Sequence, residues 1–159
     1  MMEIEFLEWL AASPLSSGLR RSALVYMVVN AAHILSIALL IGAILPLDLR
    51  LMGLFGSTPL AIIGPFLSRA AAVGLVGALI TGFALFSVKP IEYAGNPAFL
   101  AKLGLLMLGI VNAALVHTQA AWGRALSGKA PTPGLRFQAG VSAAVWVSAL
   151  LAGRWIGFI

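Results

Sequence analysis

Two histidines, His33 and His117, are the only imidazoles in 159 residues, and each stands inside a long apolar run beside an asparagine. Val29-Asn30-Ala31-Ala32 leads into the first, and Val111-Asn112-Ala113-Ala114 leads into the second. A neutral imidazole offers a lone pair that can bind haem iron or another transition metal without adding charge to an oily interior. The chain is 61% hydrophobic and only 9% charged. In such a chain both rings are expected to have a partner, because an unpaired polar group in hydrocarbon is costly. Other chemistries find little support. With no cysteine there is no disulfide, thiolate ligand or covalently attached c-type haem. Two histidines without cysteine or carboxylate make a poor zinc site, and Met27, Met52 and Met107 are scattered too widely for copper. There is no phosphate loop, nucleophile elbow or Ser-His-Asp set. No carboxylate is expected inside a membrane span, which argues against a proton-coupled carboxylate transporter.

The elements that would position these residues follow from hydropathy. Apolar stretches long enough to cross about 30 Å of hydrocarbon run over residues 22–45, 70–88, 103–121 and 137–156. Pro46, Gly53, Gly56 and Pro59 punctuate the first gap. Pro90, Gly95, Asn96 and Pro97 mark the second, and Gly128, Pro131, Pro133 and Gly134 the third. The sequence therefore predicts an all-α, integral membrane four-helix bundle, one domain over residues 1–159. Residues 3–12 mix Glu3, Glu5 and Glu8 with Ile4, Phe6, Leu7 and Trp9 before Ser13-Pro14, and read as a short N-terminal interfacial helix. The first span lacks a basic leader and a small-residue cleavage site, so it reads as a retained helix. The net charge of +5 fits contact with headgroups of the lipid bilayer rather than with nucleic acid. Basic residues divide evenly between the two sides, so the positive-inside rule sets no orientation.

With four spans, the first and third run parallel. Arg21 precedes Asn30 by about as much as Lys102 precedes Asn112, which predicts similar depths for the asparagines and a difference of about 3 Å between the imidazoles. At about 100° per residue Tyr26 and His33 share a face, with Asn30 about 60° away, whereas Asn112 and His117 are about 140° apart. Asn112 is thus expected to face a different neighbour from His117. Arg124 follows His117 by two turns on nearly the same face, which suits pairing with a haem propionate or snorkelling from a basic loop. Small residues recur at every fourth position in spans two and four: Ala70, Gly74, Ala78 and Gly82, and Gly140, Ala144, Ser148 and Ala152. They imply close helix packing or room for a flat ligand. Trp122 and Trp155 read as belt residues at the membrane surface.

The run His33-Ile34-Leu35, Gly42, then Leu47-Asp48-Leu49-Arg50-Leu51-Met52-Gly53 resembles the first-span signature of an uncharacterised family of bacterial four-span inner-membrane proteins. Trp9, Ser13-Pro14-Leu15 and the stretch from Lys102-Leu103 to Asn112 fit the same family. More distantly, His33, Gly42, Pro46 and Arg50, with Lys102-Leu103-Gly104-Leu105-Leu106 and Asn112, are similar to CopD-like copper-resistance membrane proteins and HemJ-type protoporphyrinogen oxidases. The latter pattern implies haem b or porphyrin handled by a first-span histidine. It carries a second histidine where this chain has Asn112.

The expectation is a multi-pass protein of the bacterial inner membrane that binds one haem b between His33 and His117. Asn30, Tyr26, Asn112 and Arg124 would lie around the cofactor. Its role would be electron transfer, as a subunit of a redox complex or through self-association, rather than stand-alone catalysis. Two other readings use the same residues. A metal or small-molecule permease would place Asn30, His33 and Asn112 along its pathway, and a structural subunit would use the small-residue stripes as docking faces.

Overall fold

The computed structural model describes residues 2–158, with side chains from Ile4 onward. It is all-helical among these residues: α1 (Met2–Ala12), α2 (Pro14–Arg21), α3 (Ala23–Met52), α4 (Leu60–Phe86), α5 (Pro90–Ala94), α6 (Pro97–Thr118), α7 (Ala120–Leu126), α8 (Pro133–Trp155) and a closing 3-10 turn at Ile156–Phe158. Four of them, α3, α4, α6 and α8 extended by that turn, are long and apolar enough to cross a membrane. Their outer faces carry side chains such as Leu35 and Ile62, about 70% exposed, which only lipid would cover at low cost. The chain is a multi-pass membrane protein.

Local chemistry sets the helix ends. Ser22 accepts a hydrogen bond from the Val25 amide at the start of α3, Asn96 accepts from Ala98 and Phe99 at the start of α6, and Thr132 accepts from Leu135 ahead of α8. Pro97 and Pro133 occupy first-turn positions where their missing N–H costs nothing. Gly53, at φ 109°, closes α3 in the left-handed conformation and donates back to Arg50.

Pro46, expected to break the chain after the first span, lies inside a helix instead, and so does Pro65. Pro46 sits within α3 and Pro65 within α4, so the first span runs on to Met52 and the second begins at Leu60. Each proline removes one amide donor, and a long helix held by its neighbours tolerates that loss. The consequence is chemical: Asp48 falls within the first span, contrary to the expectation that spans hold no carboxylate. The third span begins earlier than expected and ends at Thr118, where Gln119 turns extended. Beyond that break α7 folds back onto α4, and Trp122 is only 8% exposed, close against the Gly64 position. It is a packing residue, not a belt residue.

The extensive helix contacts run α4–α3–α8–α6, with α7 returning to α4. Leu40, Ile44, Leu47, Leu51, Leu135, Ala139 and Trp146 are among the residues that fill the core between them. Gly74 shows what the second-span stripe does, because a Cβ there would stand 2.5 Å from the backbone nitrogen of Leu40. The stripe brings α4 against α3 and leaves no slot for a flat ring at that level. On α8, Ala144 and Ser148 face outward rather than into the packed core. At the terminal end, Arg20 donates to the carbonyls of Ala11 and Val88 and ties α1 and α2 to the end of α4.

Candidate functional site

His33 lies in α3 opposite the last turns of α4. Its Nδ1 is 2.9 Å from Thr81 Oγ1, and the Thr81 hydroxyl donates in turn to the Gly77 carbonyl at 2.6 Å. A threonine has one hydroxyl proton, so toward His33 its oxygen can only accept. The Ala78 carbonyl also lies near the ring, and a carbonyl can only accept. Nδ1 therefore carries the proton, and the lone pair is on Nε2, which no described group engages. Gly82 makes this seat, since a Cβ there would stand 3.1 Å from the imidazole Cε1. Lys102, on α6, lies near enough for its charge to act on the ring. Its stem passes along α8, 3.4 Å from the Cβ position of Gly153, and its ammonium has no hydrogen-bond or ion-pair partner among the described residues.

His117 is arranged differently. Its Nδ1 donates to the Ala113 carbonyl at 2.8 Å, and its Nε2 accepts from the Ser68 hydroxyl at 3.2 Å, so both nitrogens are engaged. Trp122 packs beside the ring with centroids 4.9 Å apart. Both histidines thus meet α4, one at Thr81 and the other at Ser68. At about 1.5 Å per residue those two positions lie about 20 Å apart along the helix. One iron cannot take both imidazoles, and the expected convergence is corrected. The error came from treating Arg21 and Lys102 as equivalent depth markers. Arg21 precedes its span, whereas Lys102 lies inside α6, so His117 falls at the far end of α6 and His33 in the first half of α3.

The remaining candidates do not gather around His33 either. Asn30 is exposed on α3, and Tyr26 is exposed and close enough to Tyr93 to influence it. Asn112 donates from Nδ2 to the Gln138 carbonyl at 3.2 Å, facing α8 while His117 faces α4. Arg124 is exposed on α7, and the break at Gln119 removes the shared helical face that linked it to His117. What the structure adds is Lys102, whose charge reaches His33 from α6, and a second polar group elsewhere.

That second group lies between α3 and α8. Asp48 is 3% exposed, Ser142 is its hydrogen-bonding neighbour, and its Oδ2 has no partner. One turn to either side of Ser142 on α8, Gln138 Oε1 and Trp146 Nε1 are buried and unpartnered as well. The four-residue recurrence of Gln138, Ser142 and Trp146 was legible as one face of a helix. Asp48 was hidden because Pro46 reads as a stop.

These features define a multi-pass membrane protein with a histidine seated on a threonine at one level and a buried carboxyl at another. The chain belongs to a family of unknown function, DUF6644, whose model matches residues 6–159. No curated protein and no solved structure matches it.

Proposed function

We propose that this chain is a bacterial inner-membrane bundle that holds an anionic, largely apolar cofactor against His33. That cofactor would be haem b, held by His33, and it would supply electron transfer within a larger redox assembly. The observation that carries this reading is the asymmetry between the two imidazoles. His33 keeps a free Nε2 with its Nδ1–H anchored on Thr81, the arrangement that orients a ligating histidine, whereas both nitrogens of His117 are engaged. Lys102 supplies an unpaired cation near His33, and a cation in a membrane calls for an anionic partner such as a propionate. The sequence likeness to HemJ-type proteins supports the same first-span histidine. When bound, haem supplies one-electron redox chemistry, and the chain's part is to bind, orient and charge-balance it.

The test is the absorption spectrum, oxidised and dithionite-reduced, of protein purified in mild detergent from cells supplied with haem. A Soret band of five-coordinate character is expected, unchanged in His117→Ala and lost or shifted in His33→Ala. Lys102→Gln should keep the band shape while weakening haem retention. A flat Soret region in the wild type, or a bis-histidine spectrum that depends equally on His117, overturns the reading.

A further inference from the structure

The carboxyl enclosed by α3 and α8 carries an inference independent of haem. Asp48 is the only aspartate in the sequence and forms no ion pair among the described residues. Charged groups on its own helix and on the helices packed against it are turned elsewhere. Arg50 on α3 is held by the carbonyls of Thr58 and Gly56, Arg136 on α8 donates to Pro131, and Arg69 on α4 is exposed. A carboxylate removed from water needs donors at both oxygens or a neighbouring cation, and Asp48 has one hydroxyl neighbour and an unpartnered Oδ2. A neutral carboxylic acid needs far less, since it carries no net charge and brings a proton of its own.

A metal cation fits this place poorly. Hard cations want about six oxygens in their shell. Both α3 and α8 are continuous helices in which most carbonyls are engaged in their own ladders; the Gly42 carbonyl, whose donor Pro46 removes, lies six residues before Asp48, and the Gln138 carbonyl accepts from Asn112. Among the described residues no group of three or more histidine, aspartate or glutamate side chains could hold a metal. A proton needs one oxygen, and Oδ2 is free to take it.

We infer that Asp48 is an intramembrane proton-binding site: a carboxyl that rests protonated against Ser142 and exchanges its proton with water past Gln138, toward the end of the protein where Gly53 and Arg136 meet. The exchange is a bare proton transfer, with water as donor and acceptor and no change of oxidation state. The polar face of α8 suits it, because Gln138 lies one turn nearer that end than Ser142, and the Arg136 guanidinium lies 3.9 Å from the Cβ position of Gly53.

Infrared spectroscopy of the whole protein in lipid nanodiscs, grown with carboxyl-13C aspartate, tests this directly, since the label reports Asp48 alone. At neutral pH the label should give the carbonyl band of a protonated acid, shifted down relative to unlabelled protein and again in D2O. Ser142→Ala should move that band up, through loss of a hydrogen bond, and Asp48→Asn should abolish it. If the labelled group shows only carboxylate bands at neutral pH, the inference fails. It fails equally if adding sodium or potassium at fixed pH replaces the acid band by carboxylate bands, which would make this a metal-cation site. The wild-type measurement decides the question even if a variant does not fold.

Discussion

His33 donates its Nδ1–H to Thr81 Oγ1 across 2.9 Å, and Nε2 is then the one imidazole nitrogen without a hydrogen bond among the described residues. Thr81 can accept because its own proton is given to Gly77. Replacing Thr81 by valine keeps the shape and removes the acceptor, freeing the ring to rotate or change tautomer. Partners of this kind are worth about 10–100-fold in the affinity of a ligating histidine. Haem titration of Thr81→Val should show a loss in that range, while Thr81→Ser stays close to wild type. Wild-type affinity in Thr81→Val would mean that Thr81 does not prepare His33.

His117 should behave as a packing residue. It is exposed, and its polar contacts are one hydrogen bond to its own helix and one to Ser68. His117→Gln should lower thermal stability in detergent by no more than about 1 kcal/mol, the net worth of an ordinary hydrogen bond. Ser68→Ala should do the same, and the double variant little more, because the two changes remove one shared contact. Loss of haem in His117→Gln with the fold intact would restore it to the site.

Hydropathy alone made the four spans legible, because twenty apolar residues in a row have few alternatives. The depth of each span was not legible. Pro46 looks like a stop, yet a proline inside a long helix gives up a single amide bond, and packing along the rest of the helix outweighs that. Reading past Pro46 to the glycine that ends α3 places Asp48 within the helix of the first span. Equally, Lys102 looked like a surface marker although Asn96 and Pro97 carry the helix start. The matched Val-Asn-Ala-Ala segments suggested equal depth, but local similarity says nothing about where each helix begins. The Thr81 bond to His33 and the reach of the Lys102 charge to it required the fold.

Gly74 and Gly140, both in small-residue stripes, should respond oppositely to alanine. At Gly74 the new methyl would meet the Leu40 backbone at 2.5 Å, and backbone cannot swing aside as a side chain can. Overpacking of this kind costs about 1–3 kcal/mol, and separating α4 from α3 would also disturb the Thr81–His33 contact. At Gly140 the nearest atom is the Met52 methyl at 3.9 Å, ordinary contact distance. Thermal unfolding of the two variants in the same detergent should therefore show a marked loss for Gly74→Ala and almost none for Gly140→Ala. Equal losses would show that α8 packs more tightly there than the contact with Met52 implies.

Asp48→Asn offers the sharpest separation of stability from function. A buried carboxyl with an unpartnered oxygen is a liability to the fold, and removing such a group commonly leaves stability unchanged or raises it, by about 1–3 kcal/mol at most. The amide keeps the volume between α3 and α8, can still meet Ser142, and cannot take up or release a proton near neutral pH. Asp48→Asn should accordingly melt at the same temperature as wild type or higher, while any proton uptake by reconstituted protein, followed with a pH-sensitive dye inside vesicles, falls to the level of empty liposomes. A carboxyl kept for structure would give the reverse, a strongly destabilised variant whose folded fraction takes up protons as wild type does. Retention of a group that the fold would be steadier without is what a working proton site requires.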